Sequence, residues 1–167
     1  MKDPDKKRLD ELFSYDRDTG VLLRIKRVSN SHPGEIAGTV NSCGYRIVWV
    51  DRKAIGVHRM AWIMCFGGIP DGMEIDHIDC DPLNNKLANL RLATRYQNTI
   101  NRRIHKNNTS GYKGVCFDPN VSKSNPWRAR IVVNKKRHNL GMFSSPEAAH
   151  EAYKKAAIKF FGEFAKF

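Results

Sequence analysis

Residues 74–103, EIDHIDCDPLNNKLANLRLATRYQNTINRR, decide how this chain is read. They crowd Asp76, His77, Asp79, Asp81, Asn84, Asn85, Asn89 and Asn98 into a stretch too short for a core of its own, and polar groups this dense call for a ligand. Their plainer use is in loop caps and Asx-turns. Ile75 and Ile78 flank a strand that delivers Asp76 and His77, and Leu90-Arg91-Leu92 supplies a return strand. Thr94 is placed to cap a helix running through Asn98. The expected unit is a β-loop-β-helix clip with Asp76, His77 and Asn98 facing inward.

Phosphodiester hydrolysis is the chemistry such a clip suits. A neutral imidazole takes a proton from water near pH 7, while a carboxylate and an amide oxygen hold one divalent ion against the phosphate. Hard oxygen ligands favour Mg2+ or Mn2+ over zinc. The four cysteines, at 43, 65, 80 and 116, contain no CxxC pair, so they read as ordinary thiols rather than a zinc knuckle or a disulfide framework.

Asp76-His77-Ile78-Asp79, Asn84-Asn85, Asn89-Leu90 and Gln97-Asn98, with steps of 12 residues from His77 to Asn89 and 9 onward to Asn98, resemble the motif of HNH homing endonucleases. The match is to the branch in which Asn replaces the last His. The resemblance implies a ββα-metal finger in which His77 is the general base, Asp76 and Asn98 are the metal ligands, and Asn89 ties the loop and holds His77. It extends over roughly residues 10 to 103 and includes the pair His58-Arg59. A basic pair at the start of an apolar helix is placed to grip a phosphate, although Arg59 also has the plainer use of a surface salt bridge.

Upstream of the motif, Leu9, Leu12 and Phe13 have helical spacing within residues 5–14. GVLLRI (20–25), GEIAGTV (34–40) and YRIVWV (45–50) are β-branched and aromatic runs punctuated by Gly, which predicts antiparallel strands. VHRMAWIMCFGG (57–68) predicts a buried helix that stops at Gly67.

A length of 167 residues admits one domain or two small ones, and 41% hydrophobic content suffices for a core. The net charge of +12 is unevenly spread. Residues 1–98 carry 15 basic against 13 acidic side chains, a balance of +2, and residues 99–167 carry 14 against 4, a balance of +10. An excess of that size in a small segment points to a polyanion, nucleic acid first, rather than to an ordinary solvated surface. The polar, basic TINRRIHKNNTSG (99–111) separates the halves. The expected organisation is a nuclease domain at 1–98, a linker at 99–109 and a second domain at 110–167. No membrane span or signal peptide is read, which places the chain inside a cell.

In WRARIVV (127–133), alternation puts Trp127, Ala129, Ile131 and Val133 on one face and Arg128 and Arg130 on the other. The turn Asn134-Lys135 leads into a second strand, and Ser144 to Glu147 reads as a capping box opening a helix. Ala149, Ala152, Ala156 and Phe160 form its expected inner stripe, and Gly162 its stop. Gly111-Tyr-Lys-Gly-Val115, Trp127-Arg-Ala-Arg-Ile131, Leu140-Gly-Met-Phe143, Glu147-Ala-Ala149 and Ala165-Lys-Phe167 resemble the ethylene-response-factor (Apetala-type) DNA-binding domain. That resemblance implies a sheet entering the major groove, with Lys113, Arg128, Arg130, Arg137 and Asn139 facing DNA. Cys116 and Asn139 stand where that family has Arg and Trp, so its preferred base sequence does not transfer.

The sequence therefore predicts an α+β protein: N-terminal antiparallel strands lead into a ββα-metal finger, followed by a three-stranded sheet with one packed helix. Its expected activity is that of a metal-dependent DNA endonuclease of homing type, using Mg2+ or Mn2+, with double-stranded DNA as partner and no small-molecule cofactor. The expected setting is a bacterial cytoplasm, with a phage or other mobile element as the source. The rivals are a non-enzymatic DNA-binding regulator with an inactive finger and a protein that acts on RNA.

Overall fold

Asp5 caps the first helix by accepting from the Arg8 amide at 2.8 Å, and α1 then runs Lys6–Leu12 with Leu9 fully buried. The computed structural model describes residues 3–27, 30–101, 104 and 107–167. Strands β1 (Phe13–Tyr15) and β2 (Leu22–Arg24) form a hairpin whose turn is tied by Asp16, which accepts from the amides of Asp18 and Thr19. Strands β3 (Thr39–Val40), β4 (Arg46–Val50) and β5 (Lys53–Gly56) form a second antiparallel sheet in that order. Helix α2 (Val57–Phe66) follows at once and ends where Gly67 takes φ +87°.

The deciding segment forms β6 (Met73–His77) and β7 (Leu90–Thr94), an antiparallel ribbon that runs directly into α3 (Arg95–Ile100). A 3-10 turn at Leu87–Asn89 feeds β7. The first core gathers Leu9, Phe13, Leu22, Val48, Met60 and Ile63. A second, small cluster of Ala61, Ile75 and Leu90 seats α2 on the ribbon, because Ala61 adds no bulk between them. That seating fixes β6 and the side chains at its end.

The chain divides into two compact units, 1–95 and 96–167. The division falls at the start of α3, earlier than the linker read at 99–109; residues 102, 103, 105 and 106 of that linker lie outside the described residues. In the second unit β8 (Val115–Phe117), β9 (Trp127–Val133) and β10 (Lys136–Phe143) form an antiparallel sheet ordered β10-β9-β8. Helix α4 (Pro146–Phe161) packs on it through Ala149, Tyr153 and Ala157, which meet Val115, Ala129 and Ile131. Gly114 makes the close approach possible: at φ +73°, a Cβ there would lie 2.2 Å from the Tyr153 ring and 2.6 Å from the Arg130 carbonyl oxygen.

Several local expectations are corrected. The run 34–40 is a strand only at Thr39–Val40, because Gly34 and Gly38 both take φ +87° and bend it; a lone bridge joins Ile36 to Leu23. Strand β1 occupies residues expected to end the first helix, and β5 was not expected at all. Its hairpin turn uses Asp51 and Arg52 at positive φ, without the Asn-Gly or Asp-Gly pair that signals such turns. In the second unit the helix cap is Ser145, accepting from the Ala148 amide, and not Ser144. The buried stripe is Ala149, Tyr153 and Ala157, four residues apart, whereas Phe160 is exposed.

Candidate functional site

Asp76 and His77 end β6, and both are 5% exposed. Antiparallel register sets Asp76 opposite Arg91 on β7, and Arg91 Nε donates to Asp76 Oδ2 at 2.9 Å. A carboxylate this deep needs a partner, since an uncompensated buried charge costs several kcal/mol. His77 lies with its Nε2 3.1 Å from the side-chain oxygen of Asn85, itself 3% exposed. The His58 ring meets the His77 ring edge-on at 5.1 Å, and Tyr45 sits 5.4 Å from the first and 5.9 Å from the second. His58 Nδ1 is enclosed with no hydrogen-bond partner among the described residues.

Most of the dense polar run satisfies itself. Asn89 donates to Asp79 Oδ1 at 2.9 Å and to the Asn84 carbonyl at 2.8 Å, and its own oxygen accepts from the Asp79 amide at 3.1 Å. Asn84 donates to Asp79 Oδ2 at 2.7 Å, and Asp79 and Asp81 cap the amides two residues on. Burial alone would raise the Asp79 carboxyl, but the bonds from the Asp81 amide, Asn84 and Asn89 outweigh it and hold the group below the usual carboxylate range. Asn89 thus ties the loop together, while the ring of His77 rests on Asn85. In sequence Asn85 is one polar residue of the loop among several, and Arg91 is only the middle of the return strand Leu90-Arg91-Leu92. The signal for Arg91 lay in strand register, which follows once Asp76 and Arg91 are placed on paired strands.

The pair His58-Arg59 separates. Arg59 forms an ion pair with Asp3, to which Lys53 also donates at 2.9 Å. His58 turns to His77. Asn98 lies on α3, within the second unit.

In that unit the sheet has one face under α4 and one exposed. Arg128 and Arg130 alternate with buried Ala129 and Ile131, and the register sets Asn139 opposite Arg130 and Arg137 opposite Val132, which places all four polar side chains on the open face. Arg128 pairs with Asp118 there. Lys113 lies in the turn before β8 and donates to the Ile100 carbonyl at 2.7 Å. No helix among the described residues is long and apolar enough to cross a membrane.

Residues 56–100, from the end of β5 through α3, match the HNH endonuclease family. Protein 3.8 of Escherichia phage T7 is 36% identical over 115 residues, spanning 69% of this chain and 92% of the relative. The chain belongs to the family of phage T7 protein 3.8 and carries an HNH endonuclease domain. An uncharacterized HNH endonuclease of Acanthamoeba polyphaga mimivirus is also 36% identical, over 123 residues covering 73% of this chain and 61% of the relative. Among solved structures, that of DNA binding and cleavage by the HNH homing endonuclease I-HmuI aligns with 95% of this chain and 90% of its own, at 18% identity and a TM-score of 0.45.

The HNH domain offers a sparse donor set for a metal. Among the described residues no group of three or more His, Cys, Asp and Glu side chains could hold an ion. The described residues therefore do not assemble a closed zinc cage of His, Cys and carboxylate ligands.

Burial, then the neighbouring His77 and Arg59, push the His58 imidazole from 6.5 down to about 3. The HNH domain therefore holds His58 neutral at pH 7, where the unfolded chain binds more protons than the folded one once the pH falls below 6.5. The stabilisation is full above pH 6.5 and is lost as pH falls toward 3, at up to about 1.4 kcal/mol per pH unit for one proton. Thermal unfolding between pH 7 and 5 is expected to show a steeper fall in Tm for the native chain than for His58→Gln; equal slopes would show that His58 is not buried neutral.

Proposed function

We propose that this chain is a metal-dependent DNA endonuclease of homing type, encoded by a phage or mobile element and acting in the bacterial cytoplasm. The observation that carries the reading is the buried pair Asp76-His77 at the end of β6, one partner braced by Arg91 and the other by Asn85, inside the segment that matches the HNH family. A structural loop has no need to bury an acid and an imidazole side by side. The phage and mimivirus relatives support the mobile setting.

In this reading His77 accepts a proton from a water as its oxygen attacks phosphorus and the bond to the leaving oxygen breaks. Asp76 and Asn98 would hold Mg2+ or Mn2+, which when bound stabilises charge on the phosphate and the leaving oxygen. His58 packs against the base and limits its ring motion. Arg59, next to His58 in sequence and released from or shared with Asp3, is the cation assigned to the phosphate. Asn89 keeps the loop that carries Asn85 in one shape.

The second unit acts as the DNA-binding domain, of the ethylene-response-factor kind. Its three strands, single helix and open face bearing Arg128, Arg130, Arg137 and Asn139 support this, and Lys113 contributes from the adjoining turn. Arg can read guanine edges or neutralise phosphate.

His77→Ala is expected to lower single-turnover cleavage of duplex DNA by about 100-fold or more while leaving DNA affinity nearly unchanged, because a general base contributes little to binding. Full activity in that variant would remove the mechanism. In binding titrations at several salt concentrations, Arg130→Ala is expected to flatten the plot of log affinity against log salt by about 0.9 if it meets a phosphate. An unchanged slope together with unchanged affinity on every duplex would return that face to an ordinary solvated surface.

A further inference from the structure

Asp3 holds two cations from different elements. Its Oδ1 accepts from Lys53 Nζ at 2.9 Å, and its Oδ2 accepts from Arg59 Nε at 3.2 Å and from Arg59 Nη2. Lys53 opens β5, where alternation puts it on the side of buried Ile55, and Arg59 lies in the first turn of α2, which shares the first core with that strand. The two positive side chains therefore leave the same edge of the core and converge, an arrangement that repels itself without an anion between them. Burial alone would raise the Asp3 carboxyl, but the bonds from Lys53 and Arg59 outweigh it and hold the group below the usual carboxylate range. The anion is present at pH 7.

That carboxylate stands between two open clefts. One, of about 560 Å³, runs past Asp3, Arg59 and Ile63 to the loop 67–73. The other, of about 370 Å³, is lined by Asp3, Arg8, Val50 and Lys53. A ligand reaches the ion pairs from either side. The Asp3 side chain can also turn away without undoing α1, because the cap of that helix is Asp5.

We propose that Lys53 and Arg59 form an anchoring site for a backbone phosphate of DNA, and that Asp3 is a latch that occupies the site until a phosphate takes its place. The proposal rests on the reading of the chain as a DNA endonuclease; it extends the phosphate contact from Arg59 to Lys53 and gives Asp3 a function. A DNA phosphodiester carries one negative charge on two free oxygens, the same pattern as the carboxylate, with one oxygen for the ammonium and the other for the guanidinium fork. A small anion competes poorly, since the carboxylate is tethered beside the cations at high effective concentration. A duplex brings many phosphates at once to a chain of net charge +12, and their sum lets one of them displace Asp3. The latch thus admits a polyanion in preference to a small one.

The test uses the full chain in EDTA, so that binding is read without a metal. Asp3→Ala is expected to bind duplex DNA at least about 3-fold tighter than the native chain, the worth of two partly exposed ion pairs. Asp10→Ala, which removes the same charge from the exposed pair with Lys6, is expected to fall short of that gain, and Asp3→Glu to show none. In the Asp3→Ala background, Arg59→Gln is expected to flatten the plot of log affinity against log salt by about 0.9, and to cost more affinity than it does with Asp3 in place. A gain no larger than that of Asp10→Ala, or an equal loss from Arg59→Gln in both backgrounds, overturns the proposal and leaves Asp3 a staple between β5 and α2. In the native chain the 13C shift of the Asp3 carboxyl is expected to move when duplex is added, and a shift that stays in place overturns the displacement whether or not any variant folds. If neither the native chain nor Asp3→Ala binds any duplex, the reading as a DNA endonuclease fails, and inorganic phosphate decides the site. The Arg59 Nε–H signal moving at lower phosphate in Asp3→Ala than in the native chain upholds the site and its latch; no movement in either overturns them.

Discussion

The buried ion pair between Asp76 and Arg91 is the constraint around which the first unit is organised. It forms across paired strands, so it sets the register of β6 on β7, and a one-residue slip would put every side chain of the ribbon on the wrong face. With that register, Ile75 and Leu90 point into the small core under α2, and His77 comes out next to Asn85. Removing either member of such a pair typically costs about 3–5 kcal/mol, because the survivor is left charged and dry. The ribbon is only five residues long on each side, so the ion pair and the packing of α2 must do together what a wider sheet would do by its ladder alone.

The rest of the unit serves this edge. Asp79, Asn84 and Asn89 lock the loop by bonding one another, and the β1-β2 hairpin presses on its outer side through Tyr15, Arg17 and Gly20. Polar density in the loop therefore has two uses that look alike in sequence. One set of side chains builds the scaffold, and Asp76, His77 and Asn85 are what the scaffold presents.

The motif with its 12- and 9-residue steps was legible in the sequence, and so were the strands β6, β7 and β9, helix α2 with its Gly67 stop, and the helix of the second unit. Each rests on local periodicity or a capping residue. What escaped depended on partners distant in sequence or on turns without their usual residues. The placement of Asn85 depends on Tyr15, 70 residues away, which donates to its carbonyl, and Asp3 captures Arg59 from 56 residues away. β5 was hidden because Asp51 and Arg52 adopt positive φ in a turn that glycine normally marks. In α4, alanine spacing alone could not tell which stripe faces the sheet; Tyr153 against Gly114 decided it.

The central claim is that the HNH domain cuts DNA through a metal-bearing finger. The most direct measurement incubates the full chain with supercoiled plasmid and Mg2+, then repeats the reaction with EDTA in excess of the metal. Conversion of supercoiled to nicked or linear plasmid with Mg2+, abolished by EDTA and restored by further Mg2+ or by Mn2+, is the predicted result. Cleavage that continues undiminished in excess EDTA, or a requirement for stoichiometric zinc, would contradict the account.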